Sequence, residues 1–203
     1  VNSWELVDGK WKYKLGNGTY VTSRMIVTDG KYYAVDYAGN MVTIGLYQID
    51  NYNATGNVIG TVRAGSDGVL LKGWYTDEYD NTYYFGDDYL AYVTNLYDID
   101  GTTYYFRENY LCRNTTFVYD GKLYSSDANG VATMQDTSNQ TKWIQIGRNW
   151  YYIKNGTALS NVIEEIDGSY YYFNEEGIMY SSITFDYQDK KYYANSNGVI
   201  DMN

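Results

Sequence analysis

The sequence contains no proline and no histidine, and it has a single cysteine, Cys112. Each absence excludes something. Without histidine there is no Ser-His or Cys-His nucleophile pair and no histidine metal cluster. One cysteine cannot close an intrachain disulfide, and Cys112 reads as a small buried hydrophobe. No apolar run approaches the roughly 18 residues of a membrane-spanning helix. Basic residues are scarce: 15 Lys and Arg stand against 25 Asp and Glu, for a net charge of −10. That balance disfavours nucleic acid, which needs a basic stripe, and adsorption to anionic lipid. The acidity would itself keep an aromatic-rich chain in solution. The chain begins at Val1 with no signal segment, as a mature or excised fragment would.

Tyrosine and glycine are abundant, 28 and 20 of 203 residues. Rich in both and free of proline, the chain is expected to form many strands joined by tight turns. Aromatic pairs recur at Tyr83-Tyr84, Tyr104-Tyr105, Tyr151-Tyr152, Tyr171-Tyr172 and Tyr192-Tyr193, mostly about 20 residues apart. Asp-Gly pairs precede the aromatic segments at Asp8-Gly9, Asp29-Gly30, Asp100-Gly101, Asp120-Gly121 and Asp167-Gly168, a two-residue hairpin signal. A second glycine closes each unit, as at Gly18, Gly39, Gly130, Gly156, Gly177 and Gly198.

About nine hairpins of roughly 20 residues are expected, and one alone cannot bury a core. Stacked side by side they can, giving an all-β hairpin solenoid over residues 1–203, with kinks or bulges near 51–57 and 134–142. Aligned on their turns, the aromatic strands give three columns. Column two (Tyr33, Tyr83, Tyr104, Tyr124, Trp150, Tyr171, Tyr192) is nearly always aromatic and is expected to be the core. Columns one and three share the opposite face and are mixed, so their rings are expected to line grooves.

This grammar, clearest in "WELVDGKWKYKLGNG" (residues 4–18) and "IDGSYYYFNEEG" (166–177), resembles the cell-wall-binding or choline-binding repeats of Gram-positive surface proteins. Similar repeats occur in glucan-binding domains and in the receptor-binding repeats of large clostridial toxins. The resemblance implies a superhelix of hairpins, secreted or at the cell surface, holding ligands in aromatic grooves between hairpins. It implies three ring clusters: Trp4, Trp11 and Tyr13 with Tyr32; Trp143, Tyr151, Tyr170 and Tyr172; and Trp74, Tyr84 and Tyr105. Such rings attract a quaternary ammonium by cation–π interaction, roughly 0.5–2 kcal/mol per contact, or stack on sugar faces.

The expected function is therefore non-catalytic binding of a cell-wall or extracellular glycan, without cofactor or metal. Choline binding and a ligand-free stalk or adhesin are the alternatives. Carboxylate pairs such as Glu164-Glu165, Glu175-Glu176 and Asp87-Asp88 read as solvated hairpin edges rather than glycosidase pairs. Residues 50–57 and 126–130 lack the spacing of an EF-hand. Five Asn-x-Thr sequons, at Asn17, Asn53, Asn114, Asn139 and Asn155, read as turn chemistry.

Overall fold

The computed structural model describes residues 1–53 and 56–202. Among them the regular structure is all β, in nine antiparallel hairpins. They pair Ser3–Val7 with Lys10–Lys14, Arg24–Thr28 with Lys31–Val35, Gly45–Asn53 with Gly56–Ala64, Gly73–Thr76 with Thr82–Phe85, and Asn95–Ile99 with Thr102–Arg107. The remaining four pair Thr115–Tyr119 with Lys122–Ser126, Lys142–Ile146 with Asn149–Lys154, Val162–Ile166 with Ser169–Phe173, and Ile183–Tyr187 with Lys190–Ala194. Among the described residues no helix is long and apolar enough to cross a membrane. The contacts divide the chain into two compact units, one of 1–97 with 106–111 and one of 98–105 with 112–203.

The turns explain why the chain folds back where it does. Asp8, Asp29, Asp100, Asp120 and Asp167 all take positive φ, and so does the glycine after each. Positive φ at both central residues is the I′ turn, whose twist matches that of the strands. The sequon asparagines Asn114, Asn139 and Asn155 also sit at positive φ, as turn residues. Of the segment 51–57, where a kink is expected, residues 54 and 55 lie outside the described residues, while 51–53 pair in regular antiparallel register with 56–58. The insert at 134–142 folds onto the seventh hairpin: the buried Thr137 hydroxyl donates to the Gly156 carbonyl at 2.7 Å, and Gly156 N–H donates to the Gln140 carbonyl at 2.9 Å.

Successive hairpins are joined by backbone. After the aromatic strand of six of these hairpins the chain turns through a loop, from which one residue bonds back to the preceding hairpin. In the first unit Met41 N–H donates to the Trp11 carbonyl, Leu70 to Tyr32 and Ala91 to Thr61, at 2.7–2.8 Å. In the second, Ala158 donates to Gly121, Met179 to Trp150 and Ile200 to Tyr170, at 2.8–2.9 Å. These bonds satisfy edge groups that isolated hairpins would leave open.

The core corrects the column assignment. The most buried column is the position after column three: Val35, Phe85, Phe106, Ile153, Phe173 and Ala194 are fully enclosed. Column two is deeply buried at Tyr83 but only half-buried at Tyr33, Tyr104, Tyr124, Tyr171 and Tyr192. Column three, expected to be open, is buried at Tyr13, Tyr105 and Tyr172. A stacked hairpin has two neighbours and so buries both faces. Tyr105 lies flat on Phe117 of the next hairpin at 4.0 Å, and Phe117 in turn on its cross-strand partner Tyr124 at 5.4 Å. Tyr172, Phe185 and Tyr192 repeat the arrangement at 4.5 and 5.8 Å. Column three faces the following hairpin and column two the preceding one. Cys112 is half-buried rather than fully enclosed.

The seventh hairpin is also shifted by one residue from the expected alignment. Ile146 pairs with Asn149, so Gly147 and Arg148 form the turn and Trp150, not Asn149, takes column one. Tyr151 moves to column two and Tyr152 to column three.

Candidate functional site

Two cavities have the same construction. In the first unit, Trp4, Trp11, Tyr33, Met41 and Thr43, with Ser66 and Asp67, line a space of about 340 Å³. In the second, Trp143, Trp150, Tyr171, Met179 and Ser181, with Ser196, Asn197 and Arg148, line about 610 Å³. Residue by residue the two linings correspond, with Arg148 the one addition. Each site draws on three consecutive hairpins: two tryptophans from the first, tyrosine and methionine from the second, and the closing loop of the third.

Strand geometry dictates this assembly. Trp4 lies opposite Tyr13 and Leu6 opposite Trp11, so Trp4, Tyr13 and Trp11 share the face turned to the next hairpin. Tyr33, in column two, looks back from that hairpin. Trp4 meets Tyr13 edge-on at 5.0 Å and Tyr33 at 5.3 Å. Trp143 meets Tyr152 at 5.0 Å and Tyr171 at 4.9 Å, also edge-on. The first-strand tryptophan is thus held on two sides by tyrosines, while the column-one tryptophan stands more open, with Trp11 48% and Trp150 39% exposed.

The methionine wall is set by backbone. Met41 and Met179 are the residues whose N–H groups bond the carbonyls of Trp11 and Trp150, which fixes each thioether beside its indole. Behind each lies a glycine of the third loop. A Cβ on Gly68 would fall 2.4 Å from Met41 Sδ, and one on Gly198 2.6 Å from Met179 Sδ. Both glycines also have φ near +79°. The positive φ favours glycine there, and a Cβ would push the methionine side chain aside.

The residues expected at these sites are only partly the ones that meet. Trp4 with Trp11 and Tyr13 come together as one cluster, but Tyr13 is buried beneath Trp4 and Tyr33 takes the place expected for Tyr32. Tyr32 faces the other way and stacks on Tyr89 at 4.3 Å. Around Trp143, the ring positions expected for Tyr151, Tyr170 and Tyr172 are filled by Trp150 and Tyr171. Tyr151 is buried on the opposite face, Tyr170 donates its hydroxyl to Glu165 at 2.9 Å, and Tyr172 packs on Phe185. Trp74 contacts Tyr84 at 5.0 Å and Phe106 at 6.0 Å, while Tyr105 is committed to Phe117. The fourth hairpin has buried Thr82 in column one, bonded to Thr76 at 2.8 Å, where the cavities have tryptophan. The sequence signal for the complete sites is a Trp-x6-Trp spacing, found at Trp4/Trp11 and Trp143/Trp150, followed by methionine at 41 and 179.

A third cavity, of about 450 Å³, is lined by Asn114, Thr115, Thr116, Leu123, Ile144, Gln145, Ile146 and Gly147 and contains no ring.

Tyrosine hydroxyls in the stack are strongly perturbed. Burial, then hydrogen bonding with Tyr110 and Asp77, pushes the Tyr83 phenol well above its ordinary value. Burial likewise raises Tyr92 and Tyr172. These groups stay neutral at physiological pH and pack as apolar rings.

Comparison with known proteins gives the following. No curated protein sequence is significantly similar to the chain. Among solved structures, the choline-binding domain of CbpL from Streptococcus pneumoniae is 20% identical, covering 100% of this chain and 98% of that one, with a TM-score of 0.45. CbpF in complex with ipratropium is 21% identical, over 95% and 63%, with a TM-score of 0.48. The autolysin LytC from Streptococcus pneumoniae, in complex with a synthetic peptidoglycan ligand, is 18% identical with a TM-score of 0.44, and this chain spans 42% of its length. The family model of the cell wall binding repeat matches residues 141–156, 164–179 and 185–200, the three hairpins that build the second cavity. Three of the nine hairpins, all in the second unit, thus match the cell wall binding repeat.

Proposed function

We propose that the chain is a non-catalytic binding module that captures quaternary ammonium groups displayed on a cell-wall polymer, in the two cavities at Trp4/Trp11 and Trp143/Trp150. The observation that carries this is the repetition of one wall set, two indoles, a phenol and a thioether, in two places. A trimethylammonium group offers no hydrogen-bond donor and only weakly bound water. Converging aromatic faces attract it at roughly 0.5–2 kcal/mol per ring, and a methionine thioether adds polarizable contact. Two sites on one chain gain avidity for a polymer that presents the group repeatedly. A secreted or surface location follows from that ligand.

A glycan is the second reading, favoured by the third cavity, whose Asn114, Thr115, Thr116 and Gln145 suit hydroxyls. Its lack of a ring leaves nothing to stack on a sugar face. The test is a tryptophan-fluorescence titration with choline, run beside a glycan array. Saturable quenching by choline that is lost in Trp11→Ala/Trp150→Ala supports the proposal. Glycan binding without a choline response reverses the ordering, and no response to either favours a stalk.

A further inference from the structure

The two cavities share their rings but not their charges. The first has Asp67 on its rim, where the second has Asn197. The second has Arg148, where the first has Gly9, which has no side chain. From this difference we infer that the two sites select ligands of different charge type. The Trp4/Trp11 site takes a simple quaternary ammonium cation. The Trp143/Trp150 site takes a zwitterion, in which the ammonium is joined by a short linker to a phosphate or carboxylate. This deepens the proposed function and rests on it.

The origin of Arg148 lies in the turn. In the first hairpin both turn residues have positive φ, 48° at Asp8 and 74° at Gly9, so the second position favours glycine. In the seventh hairpin only Gly147 does, at 62°. That is the pattern of a II′ turn, in which glycine moves to the first position and the second accepts any ordinary residue. The switch places a long cationic side chain two residues before Trp150, in the turn that leads into the strand supplying the indole. Arg148 forms no ion pair or hydrogen bond among the described residues, although acidic residues outnumber basic ones in the chain. An unpaired guanidinium would repel a bare cation entering the cage. It would bind an anion attached to that cation in a forked, charge-assisted contact.

Asp67 reverses the sign. Its Oδ1 accepts from Val69 N–H at 3.1 Å, which holds the carboxylate in the closing loop on the cavity rim. In the corresponding loop of the second site Asn195 performs that capping, accepting from Asn197 and Val199 N–H. The loop there carries a neutral Asn197, so no other residue lining the second cavity is charged.

The test isolates each site. Trp11→Ala leaves the second cage and Trp150→Ala the first, both tryptophans being substantially exposed. Each variant is titrated by calorimetry with choline, phosphocholine and betaine. In the Trp11→Ala protein, phosphocholine should bind about three- to fivefold tighter than choline, a preference expected of a screened surface charge. It should vanish on adding Arg148→Gly and shrink in 0.5 M salt, a concentration on the order of those at which surface charges are screened. A similar gain for betaine identifies the anion requirement as general, and a gain for phosphocholine alone identifies it as phosphate. In the Trp150→Ala protein choline should bind tighter than phosphocholine, and Asp67→Asn should remove the difference. Equal affinities in the Trp11→Ala protein, or a preference unchanged by Arg148→Gly, overturn the inference while leaving the cages standing. No binding of any probe to either variant, with folding intact by circular dichroism, overturns the cage reading itself.

Discussion

The indole of Trp4 meets the ring of Tyr33, one hairpin further along, edge-on at 5.3 Å between centroids and 69° between planes. Trp143 and Tyr171 repeat this at 4.9 Å and 74°. Each pair does two jobs. It packs consecutive hairpins together, and it presents two walls of a cavity at a near right angle. The second indole, Trp11 or Trp150, adds a wall while carrying less of the packing.

That division predicts a separation of stability from binding. Trp143→Ala removes a ring locked between Tyr152 and Tyr171, and should cost about 3 kcal/mol of the second unit's stability. Trp150→Ala, at a side chain 39% exposed, should cost about 1 kcal/mol or less. Both should abolish choline binding at that site. Urea denaturation beside a choline titration measures the two effects. Equal stability losses would mean that Trp150 is a packing residue.

The glycine behind the methionine wall should behave differently from one in a hairpin turn. Gly198 and Gly168 both have φ of +79°, so alanine is strained at either, by about 1 kcal/mol. At Gly168 a Cβ meets nothing within 4 Å, whereas at Gly198 it would press on Met179 and lie 3.0 Å from the Tyr180 carbonyl. Gly198→Ala should therefore be the more destabilising and should also weaken choline binding, by displacing Met179. Gly168→Ala should leave affinity unchanged. Matching effects on affinity would detach Met179 from the site.

Acid should weaken the loops before it reaches the rings. Burial acts to raise Asp77, but hydrogen bonds from Asn81, Tyr79 and Tyr83 outweigh it and hold the carboxyl below its ordinary 3.8. The Ser138 hydroxyl and N–H lower Asp136 in the same way. A depressed carboxyl contributes stability that is present above the ordinary carboxylate value and is lost as pH falls through the folded pKa. Melting temperatures should thus drop below about pH 4, and less steeply in Asp77→Asn. The raised Tyr83 phenol has the opposite sign: its contribution is intact below the ordinary phenol value and is lost as pH rises beyond it. Tyr83→Phe should flatten the alkaline limb, monitored by phenolate absorbance. An unchanged acid limb in Asp77→Asn would place the acid sensitivity elsewhere.

Much of this architecture was legible in the sequence because local signals agree. Asp-Gly turns, alternating aromatics and closing glycines each specify the same hairpin. Column roles were harder to read, since alternation tells which residues share a face but not that both faces have neighbours. The seventh hairpin shows the second limit. Its Gly147-Arg148 turn carries no Asp-Gly mark, so Trp150 fell one column out of place, and its likeness to Trp11 was hidden. Pattern alone assigns Tyr33 and Tyr171 to the core, because nothing local reveals that a column-two ring completes a cavity begun by the preceding hairpin.

Ligand should stabilise each unit through its own cage. A ligand that binds only the folded form adds about 2.7 kcal/mol at a hundredfold excess over its Kd. Hydrogen exchange can read this locally. Choline should slow exchange of the Met41 amide, which bonds the Trp11 carbonyl, and of the Met179 amide, which bonds the Trp150 carbonyl. These amides tie one hairpin to the next, so they exchange when a cage opens. Trp11→Ala should remove the ligand effect at Met41 and keep it at Met179, and Trp150→Ala should do the reverse. Ligand protection at Met41 that survives Trp11→Ala would show that choline acts away from the cage, and the pairing of that indole with that rung would be wrong.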